Sequence, residues 1–433
     1  MVIGIRREDK NRWEGRVPLT PEDIVYLKKN YSLRFVVQPS EIRAFRDDEY
    51  REKGVTVDED LSKCDVILGV KEIPPELLLP DKIYVFFSHT IKGQRYNMPM
   101  LRRLMELRDT LIDYERIVDN KGKRLIFFGR FAGIVGMVDS LWLLGKRLAA
   151  SDILTPFRMI KHTIEYKDLN DIRSHLFEVA GYIRRDGLPD EIVPFVTGFT
   201  GYGNVSRGAQ EIYDILPVIE IEPEELFKLG KEVRISRNHV YKVVFKEKDM
   251  FARKDDDRFS LEEYYNHPER YKSIFEKYLP LLDLLVNCIY WDERYPRIVT
   301  KKFLKETFMK SRLFKLQLIG DISCDVNGSI ECNVKTTDVG NPAYVYDPLQ
   351  DTIQDGIEGR GVVVLAVDNL PCELSRESSI FFSSVLKKLL PGLLNVDLNS
   401  DFENAGLPEE LKEATIVYKG ALTPEYEYLK QYI

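Results

Sequence analysis

The sequence predicts an α/β chain built from two doubly wound domains, and three observations predict it. Apolar runs of strand length alternate with helical segments through the first third, as parallel strands buried on both faces require. A later strand, residues 191–200, runs directly into a glycine turn and then a helix. At 433 residues the chain is also too long for one ordinary domain.

In chain order, Val2–Ile5 is a short β-branched run. Thr20 is a cap residue, and Pro21 opens a helix through residue 29. Residues 33–37, 65–70 and 82–87 read as strands, 98–107 as a helix and 110–114 as a strand. A long helix, 131–150, leaves this domain, and 151–187 reads as helical and charged. After the strand at 191–200 comes another at 218–221. Residues 246–270 are dense in charge and are expected to form an exposed excursion. Strand signals return at 282–288, 314–319 and 361–367, and the tail from Pro371 reads as mainly helical. There is no internal repeat and no low-complexity linker. The expected division is a discontinuous domain of residues 1–150 and 371–433, with a second of 151–370. Both are Rossmann-like, with the active-site cleft expected between them.

Apolar residues make up 44% and charged residues 31%, a soluble globular balance. The net charge of -7 argues against nucleic acid as partner, because displacing counterions needs a basic surface. Five scattered cysteines with no CxxC pair or Cys/His cluster give no expectation of a metal, and fit reduced thiols. The first residues read as a strand rather than a leader, so a cytoplasmic location is expected. The apolar segment 131–150 contains Asp139, Lys146 and Arg147, which argues against a membrane span.

The most informative motif is Thr200-Gly201-Tyr202-Gly203-Asn204-Val205-Ser206-Arg207-Gly208-Ala209. Gly201 suits the tight turn after a strand. Gly203 lets a pyrophosphate approach the backbone, where the amides of Asn204, Val205 and Ser206 and the helix dipole favour negative charge. Ser206 stands where a third glycine is usual, and Gly208-Ala209 offers small residues for close helix–strand packing. Glu222 lies 21 residues beyond Gly201 and is the expected acceptor for the adenine ribose hydroxyls.

A second constellation sits at the ends of the first strands. Arg16 follows the first strand, Lys71 and Glu72 the strand at 65–70, and His89, Lys92 and Gln94 the strand at 82–87. Glu115, Lys123 and Arg124 follow the strand at 110–114. Such ends form the cleft of an open α/β sheet. This charge set suits a small molecule with several carboxylates, because a guanidinium binds carboxylate at two points. A lysine among cations loses basicity and becomes usable as a general base. His162, His175, His239 and His267 receive no role.

These residues carry a family resemblance. Ile3-Gly4-Ile5-Arg6-Arg7-Glu8, Gly69-Val70-Lys71-Glu72-Ile73-Pro74 and Phe87-Ser88-His89-Thr90-Ile91-Lys92-Gly93-Gln94 are similar to the lysine–ketoglutarate reductase domain of bifunctional aminoadipic semialdehyde synthase. So are Gly203-Asn204-Val205-Ser206-Arg207, Asn287-Cys288-Ile289-Tyr290-Trp291, Asp321-Ile322-Ser323-Cys324-Asp325 and Val367-Asp368-Asn369-Leu370-Pro371. The resemblance covers nearly the whole chain, and more distantly extends to fungal saccharopine dehydrogenase (lysine-forming) and alanine dehydrogenases. It implies a reductive condensation of L-lysine with 2-oxoglutarate to saccharopine, using NADPH, with NADH as the alternative. It implies acid–base roles for Lys71 and His89. Arg16, Lys92, Lys123 and Arg124 would then hold carboxylates, with Gln94 and Glu115 as polar ligands. Ile289, Tyr290 and Asp325 would lie on loops near the nicotinamide. The bifunctional protein carries a saccharopine dehydrogenase domain beyond this region. The chain ends at Ile433 without it, so the glutamate-forming step is not expected of this chain, and a separate saccharopine dehydrogenase domain is a candidate partner. Two alternatives stay open: an NAD-dependent enzyme working in the lysine-forming direction, and an inactive binding module of the same fold.

Overall fold

The structure is a computed structural model and describes residues 1–232, 234–310 and 314–433. It divides into two compact units, residues 1–128 with 375–433, and residues 129–374. In chain order the strands are β1 (Val2–Ile5), β2 (Arg34–Val37), β3 (Thr56–Val57), β4 (Val66–Leu68), β5 (Ile83–Phe86) and β6 (Thr110–Asp113). Then come β7 (Val196–Thr200), β8 (Val218–Glu220), β9 (Val240–Phe245), β10 (Phe251–Arg253), β11 (Tyr271–Ser273) and β12 (Leu284–Asn287). The last six are β13 (Leu318–Asp321), β14 (Ala343–Asp347), β15 (Thr352–Asp355), β16 (Val362–Leu365), β17 (Thr415–Tyr418) and β18 (Ala421–Leu422).

In the first unit the strand order is β18-β17-β6-β5-β4-β1-β2-β3. Strands β1 to β6 are parallel, and every residue of β4, β5 and β6 is buried. That is why they read as continuous apolar runs rather than alternating ones. The helix Pro21–Asn30 starts where its cap and proline place it. Thr20 Oγ1 accepts from the Asp23 amide at 3.2 Å, acidic residues fill the first turn and lysines the last. Its Ile24 and Leu27 are buried in the core. The tail is not wholly helical. After the helix Ser375–Leu389, β17 returns antiparallel to β6 and pairs with β18. The helix is locked to the other end of the chain by side-chain hydroxyls, Ser379 and Ser383 accepting from the amides of Val17 and Thr20.

In the second unit the order is β15-β14-β16-β13-β12-β7-β9-β8. The central strands are parallel, and β14 and β15 close one edge antiparallel. Strand β9, not β8, lies beside β7, which leaves the three-residue β8 at the edge. The helix Gly129–Ala149 belongs to this unit, so the boundary falls at 128/129 rather than after 150. The reason is a backbone contact with the helix Asn204–Tyr213. A Cβ on Gly133 would stand 1.9 Å from the Val205 carbonyl oxygen, and one on Gly208 2.0 Å from that of Arg130. Arg130 and Glu211 close the contact with a two-point ion pair. The small residues thus serve helix–helix rather than helix–strand packing. The second boundary falls at 374/375.

The charged stretch at 246–270 is only partly an excursion. Strands β10 and β11 pair antiparallel, and Phe251, Tyr264 and Tyr271 are buried between them and the sheet core, with the charges left outside. The segment 151–187 contains one long helix, Leu169–Asp186, capped by Asp168. No helix among the described residues is long and apolar enough to cross a membrane.

Candidate active site

The carboxyl ends of β1, β4 and β5 gather a buried charged cluster. The Glu8 carboxylate accepts from the amides of Val70 at 2.7 Å and Lys71 at 2.9 Å, so the segment after β1 holds the turn after β4. Burial pushes the Glu8 carboxyl up to about 7, with Arg6 opposing the rise and Glu14 adding to it. The Lys71 amine is held below its ordinary range, first by burial and then by Arg16 and Lys10, against the pull of Glu72 and Glu14. Burial therefore outweighs the neighbouring cations that the sequence singled out.

Glu72 links this cluster to His89. Its Oε1 lies 2.6 Å from His89 Nδ1, and Lys10 Nζ is 3.4 Å from its other oxygen. Burial raises the Glu72 carboxyl, but His89, Lys10 and Lys71 outweigh it and bring it to about 2. A carboxylate at Nδ1 fixes the proton there and turns Nε2 into the exchangeable position. His89 has a left-handed backbone, φ 47°. Asn97 Nδ2 donates to the carbonyls of Ser88 and His89 at 3.0 and 3.1 Å, and Asp113 accepts from the amide and hydroxyl of Ser88. Asp113 is fully buried, and burial raises its carboxyl to about 6. The Phe87 ring stacks on the imidazole at 6.1 Å.

Arg16 is buried, with Nε and Nη2 donating to the Glu14 carboxylate at 2.7 and 2.5 Å and the guanidinium 4.3 Å from the Phe128 ring centre. The structure thus brings Arg16, Lys71 and His89 into one neighbourhood. It treats the other anion-binding candidates differently. Gln94 Oε1 accepts from the Lys92 amide at 3.1 Å, which uses that oxygen in the turn after His89. Lys123 and Arg124 are exposed on a short antiparallel bridge, and Arg124 pairs with Glu115 at 2.8 Å. Sequence reasoning missed Glu8, Glu14 and Asp113. An acidic residue directly after a strand beside arginines was the available signal.

In the second unit the turn after β7 has the geometry its glycines allow. Gly201 has φ 79°, and a Cβ there would stand 3.1 Å from Ile289 Cγ2. Gly203 caps the helix Asn204–Tyr213. The amides of Asn204, Val205 and Ser206 in its first turn have no acceptor within the helix. Ser206 is buried and accepts from Gln210 Nε2 at 2.9 Å. Beside the turn is a cavity of about 260 Å³, lined among others by Gly201, Gly203, Glu247, Tyr265, Ile289 and Tyr290.

Glu222 is not the acid beside this turn. It follows the edge strand β8, is exposed, and its amide is bonded to Glu225 in a local cap. On the side of β8 the strand adjoining β7 is β9, and the acid just past its end is Glu247, which accepts from the Tyr265 hydroxyl at 2.8 Å. A buried polar network supports the remaining loops. Thr200 Oγ1 donates to Asn287, whose Nδ2 donates to Asp321 at 2.8 Å, and Asn333 donates to the other Asp321 oxygen. Ser323 Oγ donates to the Ile289 carbonyl at 2.6 Å and ties the 322–325 loop, with half-buried Asp325, to the loop of Ile289 and exposed Tyr290. Free amides, a carboxylate and aromatic walls together fit a dinucleotide.

The two sheets and their strand-end sites define an α/β protein of the alanine dehydrogenase fold. Residues 4–135 match the family model described as Alanine dehydrogenase/PNT, N-terminal domain. An L-alanine dehydrogenase structure covers 100% of this chain and 99% of its own, with TM-score 0.63 and 17% identity. A transhydrogenase from Sinorhizobium meliloti covers 98% and 100%, with TM-score 0.52 and 15% identity. Closer in sequence is the alpha-aminoadipic semialdehyde synthase of Arabidopsis thaliana, 40% identical over 99% of this chain and 41% of its own length. The mitochondrial protein of that name from Mus musculus is 35% identical over 99% and 48%. A saccharopine dehydrogenase (NAD(+), L-lysine-forming) of Emericella nidulans is 27% identical over 93% of each. The chain is a homologue of the alpha-aminoadipic semialdehyde synthases, and it spans about half the length of those relatives.

Proposed function

We propose that the chain is a nicotinamide-dependent oxidoreductase that condenses L-lysine with 2-oxoglutarate to saccharopine. The observation that carries the reading is the Lys71–Glu72–His89 constellation, an amine of lowered basicity beside an imidazole oriented by a carboxylate. It occurs in a homologue of the alpha-aminoadipic semialdehyde synthases.

Attack on the ketone needs the substrate ε-amine neutral, and Lys71 accepts its proton. His89, protonated on both nitrogens, gives the Nε2 proton to the carbonyl oxygen as the C–N bond forms, takes the surplus proton from the new ammonium nitrogen, and returns it to the carbinolamine hydroxyl, which leaves as water. Arg16, Lys92, Lys123 and Arg124 pair with substrate carboxylates, and Arg16 trades one bond to Glu14 for one to substrate. A bound reduced nicotinamide would supply the hydride that converts the protonated imine to a secondary amine. The residues that would hold it are the amides of Asn204, Val205 and Ser206 for the pyrophosphate, Glu247 for the ribose, and the loops of Ile289, Tyr290 and Asp325. The family resemblance implies NADPH, whereas the carboxylate of Glu247 favours an unphosphorylated ribose.

The test is the loss of NADPH, and in parallel of NADH, with lysine plus 2-oxoglutarate, and identification of saccharopine by mass spectrometry. Turnover with ammonia in place of lysine would replace this reading by an alanine dehydrogenase-like reductive amination. Near-normal turnover in both Lys71→Met and His89→Gln would remove the assigned roles.

A further inference from the structure

Three side chains far apart in sequence meet inside the second unit. Asp139 lies on the helix Gly129–Ala149, His162 in the chain that follows it, and Glu373 in the turn Leu370–Leu374. The side chains of Asp139 and Glu373 are fully buried, and that of His162 is 7% exposed. One potential ligand atom from each lies within 4.8 Å of the other two. His162 Nε2 is 3.1 Å from Glu373 Oε2 and 3.8 Å from Asp139 Oδ2.

Only part of the cluster's bonding capacity is used within the protein. Asp139 Oδ1 accepts from the Thr163 amide at 3.1 Å and the Thr163 hydroxyl at 2.7 Å. Asp139 Oδ2, His162 Nε2 and both Glu373 oxygens have no hydrogen-bond partner outside the cluster among the described residues. Buried polar atoms are seldom left so. The cluster is also braced. Trp142 stacks on the imidazole at 4.4 Å with the planes 10° apart, and Thr163 fixes one oxygen of Asp139. An outer shell that orients each ligand is what a metal site requires.

We propose that Asp139, His162 and Glu373 bind one divalent cation of the first transition row, with Zn²⁺ and Mn²⁺ as the fitting examples. One imidazole nitrogen and two carboxylate oxygens are a donor set such ions accept. The cation takes up the unpartnered oxygens and joins three segments that the chain does not join. The site stands apart from the reading of function above, since none of these residues has a role there. Composition did not show it, because no two of its ligands are close in sequence.

The experiment is a titration of the full chain, stripped with a chelator and dialysed, with Zn²⁺ or Mn²⁺ alone by calorimetry, followed by thermal unfolding. Binding of one equivalent with a raised Tm is expected. Glu373→Gln and His162→Gln should each weaken binding by more than the roughly 10–100-fold lost with an outer-shell partner. Glu373→Gln should lower Tm in the presence of the cation but not in chelator. Crystals grown with Mn²⁺ should show its anomalous signal between the three side chains, a result that holds even where a variant fails to fold. No saturable binding by the wild-type chain overturns the proposal, and so does binding that is unchanged in the variants or located elsewhere. In those cases the three groups share protons instead.

Discussion

The two large sheets share one plan and differ in the placement of one pair of strands. In the first unit β2 lies beside β1 and β3 outside it; in the second the later strand, β9, lies beside β7 and the earlier, β8, is outermost. The two sites also handle charge differently. The first places ionisable side chains at strand ends, where burial tunes Glu8, Lys71 and Asp113. The second presents backbone amides, whose position depends on how closely two helices approach. Chemistry that moves protons needs groups whose basicity can be set. An anion cradle needs donors that do not titrate.

The sharpest division comes from Lys71→Met. It should lower kcat by about 10³-fold, within the range for losing an acid–base group, while dinucleotide affinity by calorimetry stays within a few-fold. Equal loss of both would erase the contrast between the two sites. Gly208→Val strikes the second unit, because its side chain would meet the Arg130 carbonyl. We expect a loss of about 3 kcal/mol in urea unfolding together with weakened dinucleotide binding. The reverse outcome, full stability with unchanged binding, would mean that the helix contact does not set the cradle.

Glu8→Gln probes the tuned side. The folded state binds the Glu8 proton more tightly than the unfolded state, with the carboxyl raised from 4.5 to about 7. The wild type therefore loses stability as pH rises from about 4.5 through 7, and the glutamine variant escapes that loss. Its stability relative to wild type should improve by on the order of 3 kcal/mol between pH 4 and 8, read from urea midpoints at several pH values. The smallest expected effect separates two acids of the second unit. Glu247→Gln should weaken dinucleotide binding by roughly tenfold, the worth of one charge-assisted hydrogen bond, and Glu222→Gln should leave it unchanged.

Features with local causes were legible in the sequence. Thr20 before Pro21, the apolar runs of β1, β5 and β12, and the turn at Gly201 and Gly203 depend on neighbours a few residues away. What escaped depends on partners distant in the chain. Nothing near Glu222 announces that β9 will insert between β8 and β7, and a spacing rule that assumes adjacent strands selects an acid on the outermost strand. The antiparallel return of β17 onto β6, and the docking of Gly133 on Val205, are likewise matters of long-range fit. In the first unit Lys71 and His89 could be singled out because each lies three residues past the end of a strand, β4 and β5. Glu8 was not, since its part is to bond the turn after β4, which another segment supplies.

The left-handed backbone at His89 has a consequence for sequence change. Glycine, asparagine and aspartate adopt that conformation at little cost, whereas β-branched residues resist it. A saturation library at this position, sorted first for soluble expression and then for turnover, would be enriched in opposite directions by the two sorts. The best-expressed clones would carry residues with no imidazole, and the only active ones would keep the histidine at the expense of yield.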